Sequence, residues 1–136
     1  MLCLDSNIAI ALLRGGFPHV EERLAAAMKE RVPLALSTIV LKELQFGVYR
    51  AKNRDKAQAA VDRLLRADFS ILPFEQDDAT CAARLRAELA ENGLSIGPFD
   101  VLIAGQAVSR GLTLVTNNRR EFSRVPGLAI VDWLTP

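Results

Sequence analysis

A chain of 136 residues, half of them hydrophobic and 24% charged, has the composition of a single globular domain with a sizeable core, which excludes intrinsic disorder. A net charge of +1 excludes a global field of the kind that announces many nucleic-acid binders, so any binding of phosphates must rest on local basic patches. No segment is apolar for long enough to span a membrane. Asp5 interrupts the apolar start with no cleavage site after it, and Cys3 and Cys81 lack zinc-like spacing and read as buried free thiols in a reducing cytoplasm.

The chain alternates between strand-like and helix-like runs. Leu2 to Leu4 reads as a first strand and Asn7 to Arg14 as a helix stopped by Gly15-Gly16. Val20, Leu24, Ala27 and Met28 form the stripe of an amphipathic helix, and Pro33 admits a second strand, Leu34 to Ser37. Thr38 is a good N-cap for the next helix. Ala57, Val61, Leu64 and Leu65 mark another helix. Phe69 to Phe74 predicts a third strand at a sheet edge, because Pro73 cannot donate to a ladder. Asp77 or Asp78 is expected to cap a helix that ends at Asn92-Gly93. Pro98 suits the first helical position of the next helix, and Gly111 its stop. Leu112 to Thr116 and Leu128 to Trp133 supply the last two strands. The rhythm predicts an α/β fold spanning 1–136 as one domain: a mostly parallel central sheet of about five strands with helices on both faces.

Four acids fall where a strand gives way to a turn or helix: Asp5, Glu43, Asp100 and Glu121. Ligands of open α/β sheets gather at the carboxyl ends of the strands. Acids sent to one edge repel each other and raise one or more pKa values, and a hard divalent cation such as Mg²⁺ or Mn²⁺ removes that penalty. Such a centre activates water and steadies phosphoryl oxygens, so the chain reads as a metal-dependent phosphodiesterase. Each residue also has an ordinary reading. Asp5 is a common N-cap type, Glu43 can be a solvated border residue, and Asp100 in a first turn gains from the helix dipole. Thr116, Asn117 and Asn118 can bond turn backbone, or Asn118 can hold metal-bound water. Arg86 lies near the apolar side of its helix, either with its stem snorkelling or as a buried partner for an acid. Basic residues from Arg50 to Arg66, and Arg110, Arg119, Arg120 and Arg124, read as solvated faces or as phosphate contacts around the acids.

These motifs carry a resemblance. Leu4-Asp5-Ser6-Asn7-Ile8, Ser37 to Leu44, Ile96-Gly97-Pro98-Phe99-Asp100 and Val115 to Phe122 resemble, in order and from end to end, the four motifs of PIN-domain ribonucleases. Leu85-Arg86-Ala87-Glu88-Leu89 and the tail from Arg124 to Trp133 are similar to the VapC toxins of type II VapBC toxin–antitoxin pairs. The resemblance implies a PIN fold and a Mg²⁺- or Mn²⁺-dependent endoribonuclease silenced by a VapB antitoxin. It assigns metal coordination to Asp5, Glu43 and Asp100. Many relatives have Asp where Asn118 stands, which leaves the fourth ligand open between Asn118 and Glu121. Ser6 replaces a more frequent Thr and keeps the hydroxyl; Thr116, Arg86, Arg119 and Arg120 take supporting or RNA-binding places. It further implies a homodimer and, for the subgroup with this tail, initiator tRNA cut in the anticodon stem-loop. Two rivals stay open. A phosphoaspartyl phosphatase or phosphotransferase would want an Asp where Asn7 stands and a Lys near Arg119-Arg120. A non-catalytic binding domain on the same fold predicts a damaged acid set, whereas Asp5, Glu43 and Asp100 are all present.

Overall fold

The structure, a computed structural model, describes residues 1–136. In chain order the elements are β1 (Leu2–Leu4), α1 (Ser6–Arg14), α2 (Pro18–Lys29), β2 (Leu34–Ser37), α3 (Thr38–Arg50) and α4 (Arg54–Arg66). They continue with β3 (Phe69–Leu72), α5 (Gln76–Glu91), α6 (Pro98–Arg110), β4 (Thr113–Val115), α7 (Arg119–Phe122) and β5 (Ala129–Val131). All five strands are parallel, in the order β3-β2-β1-β4-β5. The chain moves outward from β1 through β2 to β3, then crosses over to β4 and β5. Right-handed crossovers therefore put α1 to α4 on one face and α5 and α6 on the other. The order reverses between β1 and β4, so the crevice beyond their carboxyl ends is the switch point where such sheets place their chemistry.

The central strand β1 is only three residues long. It pairs Leu2, Cys3 and Leu4 with Thr113, Leu114 and Val115 of β4, and Leu2 and Cys3 with Leu34 and Ala35 of β2. Strands buried on both faces read as continuous apolar runs, and β2 is buried at every position. Leu4, Ile8, Leu36, Val40, Leu114 and Phe122 lie at the centre of the core. α5 and α6 approach closely because Gly105 has no side chain. A Cβ there would stand 2.6 Å from the Cα of Ala82.

Several ends differ from the sequence reading. The N-cap of α3 is Ser37, whose Oγ accepts from the Ile39 N–H at 3.1 Å. Thr38 instead accepts from the Phe74 N–H, tying the chain after β3 to α3. Glu75, not Asp77 or Asp78, caps α5; Asp78 completes a capping box by accepting from the Glu75 N–H at 2.8 Å. β3 is the expected edge strand but stops at Leu72, before Pro73. α6 begins at Pro98 and ends at Gly111, in the left-handed region at φ 65°, as the sequence predicts. α7 is an additional short helix.

Candidate active site at the switch point

Asp5 is the residue after β1 and the N-cap of α1. It is 4% exposed, and both its oxygens are engaged: Oδ1 accepts from the Ser6 N–H and Oδ2 from the Thr116 hydroxyl, each at 2.8 Å. Thr116, the residue after β4, is itself fully buried and also accepts from the Asn118 N–H at 3.0 Å. One hydroxyl thus stitches the two strand ends across the switch point and fixes the turn that leads to α7. Burial pushes the Asp5 carboxyl above its ordinary value, and the bonds from Thr116 and Ser6 only partly offset this.

Asp100 lies in the first turn of α6, half-buried, and its Oδ2 packs over Gly97, where a Cβ would come within 3.0 Å. Its pKa is pushed up to about 7 by burial, by a shared hydrogen bond with Glu121, and by repulsion from Asp5 and Glu121. Glu121 in α7 is held below its ordinary value by that bond from Asp100, with further help from the Asn118 side chain, the Gly97 N–H and the charge of Arg124. The Asn118 amide donates to Glu121 Oε2 at 3.2 Å. Below about pH 7 Asp100 therefore keeps its proton against Glu121. This is how two carboxylates settle when no cation separates them.

Glu43 stands apart. Its carboxylate is bound by Lys42 Nζ at 2.6 Å, and that ammonium also sits 3.8 Å from the centre of the Phe99 ring. Lys42 thereby links Glu43 to the residue before Asp100, yet Glu43 touches none of the other acids. Correspondingly, no three Asp, Glu, His or Cys side chains stand close enough together to form a ready-made chelate. Glu43 also lines a groove of about 450 Å³ between α1, α3 and α4, with Ile10, Leu13, Leu44 and Val48 on its walls and Arg14 at its edge.

The basic residues divide. Arg124 attracts Glu121 and donates to the Ser95 carbonyl at 3.0 Å. Arg119 is exposed, with Nε 3.8 Å from Asp132, and Arg120 is exposed. Arg110 does not belong with them: it grips Asp78 at 2.8 and 3.2 Å and donates to the Pro73 carbonyl. Arg86 is exposed, lines a groove of about 430 Å³ between α5 and the segment leading into α6, and pairs with no acid. Its stem snorkels along apolar surface, as one of the two readings held. Sequence reasoning passed over Lys42 and Gly97. Nothing local marks Lys42, since adjacent helical residues do not face each other. Gly97 was legible as the small residue before Pro98.

The donors fit a hard divalent cation. Asp5, Asp100, Glu121 and the Asn118 amide offer only oxygen and amide chemistry, and the proton held between Asp100 and Glu121 marks an excess of negative charge.

Residues 2–128 match the family model described as PIN domain. The chain is 36% identical to the tRNA(fMet)-specific endonuclease VapC of Salmonella typhimurium over 130 residues, 96% of each chain. It is 36% identical to Ribonuclease VapC2 of Rickettsia felis over the same share. Among solved structures it resembles VapBC2 of Rickettsia felis bound to a promoter DNA fragment, with a TM-score of 0.90 and 34% identity over 97% of this chain and 98% of that one. It also resembles DNA-bound VapBC of Salmonella typhimurium, with a TM-score of 0.89 and 36% identity over 97% of each.

Proposed function

The chain belongs to the PIN-domain family, and from that premise we propose that it is a VapC-type toxin: a divalent-metal-dependent endoribonuclease restrained by a VapB antitoxin. The observation that carries this reading is the acid centre at the switch point, where buried Asp5 is bonded to Thr116 across the ends of β1 and β4 and Asp100 and Glu121 stand close enough to perturb each other.

Asp5, Asp100 and Glu121 would hold Mg²⁺ or Mn²⁺ once drawn together by the ion, with Asn118 and Glu43 as further donors. A bound divalent cation supplies Lewis-acid stabilisation of phosphoryl oxygens and a lowered pKa for water. The protein's own part is orientation and proton control. Thr116 and Ser6 fix both oxygens of Asp5. Asp100 gives up its proton as pH rises through about 7, which frees both of the paired carboxylates. Lys42 holds the Glu43 carboxylate at 2.6 Å and sits over Phe99, which keeps Glu43 close to the α6 N-terminus. Arg119, Arg120 and Arg124 surround α7 with positive charge suited to phosphates.

The substrate is structured RNA, with initiator tRNA cut in its anticodon stem-loop as the leading candidate. Support comes from the tRNA(fMet) specificity named for the Salmonella relative. The antitoxin lays an apolar segment in the groove between α1, α3 and α4 and presents an Arg to the carboxylates, beginning with Glu43 on the groove's wall. The active unit is a homodimer, because one domain of this size offers little surface to a folded RNA, and it works in the cytoplasm. No helix is long and apolar enough to cross a membrane.

Purified chain with Mg²⁺ or Mn²⁺ should cut initiator tRNA, and EDTA should stop it; cleavage undiminished in EDTA rejects the metal chemistry. Co-expressed antitoxin should silence the enzyme, and a complex with full nuclease activity rejects the inhibitory arrangement. Light scattering alongside activity at falling concentration tests the dimer, which a fully active monomer would exclude.

A further inference from the structure

Helix α3 turns Val40, Leu44 and Val48 into the core and leaves a strip of the opposite side open. Lys42, Phe46, Tyr49 and Arg50 fall at i, i+4, i+7 and i+8, which places them along one side over about 12 Å. Phe46 is 57% exposed and Tyr49 62% exposed, well beyond what a core helix normally leaves bare. At the end nearest the acids, the strip runs onto Phe99, 48% exposed, through the Lys42 ammonium seated over that ring. The next residue after Phe99 is Asp100. Three flat rings thus lead away from the acid centre, with cations at both ends of the strip.

We propose that this strip is a stacking platform for unpaired RNA bases next to the scissile phosphate. The inference rests on the nuclease reading and adds how the substrate is held. Aromatic faces accept any base, and interleaved cations follow the backbone, the combination that suits single-stranded nucleic acid. A platform of this kind requires bases that are splayed out, so it selects loops over duplex stems. Lys42 has two tasks here: its bond to Glu43 anchors the ammonium, and the anchored ammonium holds Phe99 at the edge of the site. Continuity with Asp100 and the flanking charge favour RNA on this face over a second copy of the chain.

The test is binding of a labelled single-stranded oligoribonucleotide, and of the same strand annealed to its complement, to the full chain in EDTA. The double variant Phe46→Leu, Tyr49→Leu keeps the face apolar and removes the rings. It should bind the single strand about fivefold or more weakly, with duplex binding and solution mass unchanged. Tyr49→Trp should retain binding, with its emission quenched by the single strand. Unchanged single-strand affinity in the leucine variant overturns the proposal. So does a fall in solution mass, which would assign the face to a second protomer. Binding in EDTA reports the platform, and cleavage with Mn²⁺ reports the nuclease reading, so either can fail without the other.

Discussion

Asp78 and Asp5 are both withdrawn from water, 1% and 4% exposed, but the chain treats them in opposite ways. Asp78 receives Arg110 through two guanidinium nitrogens and the Glu75 N–H, and the Arg110 bonds hold its carboxyl below the ordinary range. Asp5 receives a hydroxyl and one backbone N–H but no cation, and a titratable group that feels its charge is another acid, Asp100. A buried charge normally needs a partner. At α5 and α6 the partner is built in; at the switch point it must come from outside. That difference separates a structural acid from a functional one more clearly than burial does.

The largest effect that could break the comparison is loss of chemistry without loss of fold. Asp100→Asn or Asp5→Asn should lower RNA cleavage at least about a hundredfold, measured with saturating divalent cation. In metal-free buffer Asp100→Asn should raise the melting temperature above pH 7. The sign follows from the raised pKa: between the unfolded value of 3.8 and the folded value near 7 the native state binds the extra proton, so stability falls as pH rises through that window. Below pH 4 the variant should gain nothing. The counterpart is Asp78→Ala, which should cost about 3 kcal/mol in denaturant melts, because it leaves Arg110 without its carboxylate. The Arg110 side chain keeps 26% exposure, which holds the cost to the lower end of the range for buried pairs. Residual Asp78→Ala protein that is folded should cleave normally. Its deficit should shrink as pH falls through the depressed pKa of Asp78, where the wild type loses the same ion pair.

Thr116→Val sharpens the contrast by removing the one side-chain donor to Asp5. Activity should fall about tenfold and the lower limb of its pH profile should move to higher pH, since Asp5 loses a bond that lowers its pKa. The smallest effect is expected from Gly97→Ala. The new Cβ would press on Asp100 Oδ2 from 3.0 Å, so cation affinity should drop a few-fold while the melting curve barely moves. A large loss of stability in that variant would mean that the segment before α6 serves the fold more than the site.

Much of this was legible in the sequence because strand ends and helix stops carry strong local signals. β1 and β2 follow from apolar runs, and α6 is bracketed by Pro98 and Gly111. The caps of α3 and α5 were misplaced because Ser37 and Thr38, or Glu75, Asp77 and Asp78, are all capping types; only side-chain direction decides among them. β4 is shorter than its apolar run because β1 offers only three residues to pair with, and β5 pairs in turn with those three residues of β4. α7, at four residues, is too short to show a periodic stripe. The places of Asp5 and Glu121 could be expected from β1 and β4 before them, but Asp100 follows no strand, contrary to the sequence reading: it comes after α5 and an irregular segment and is placed by the N-terminus of α6. Nor could the isolation of Glu43 be expected, since it depends on an ammonium lodged against Phe99, a residue far along the chain. Arg110 was grouped with Arg119 and Arg120 by sequence proximity, whereas its partner Asp78 lies 32 residues earlier.

Without metal, the switch-point acids hold a proton in place of a cation. Calorimetric titration of the metal-free protein with Mn²⁺, in buffers of different ionisation enthalpy, counts the protons released on binding. About one proton should be released at pH 6, where Asp100 is mostly protonated, and little at pH 8, with the release at pH 6 abolished in Asp100→Asn. Equal release at both pH values, or the same release from the Asn variant, would contradict this.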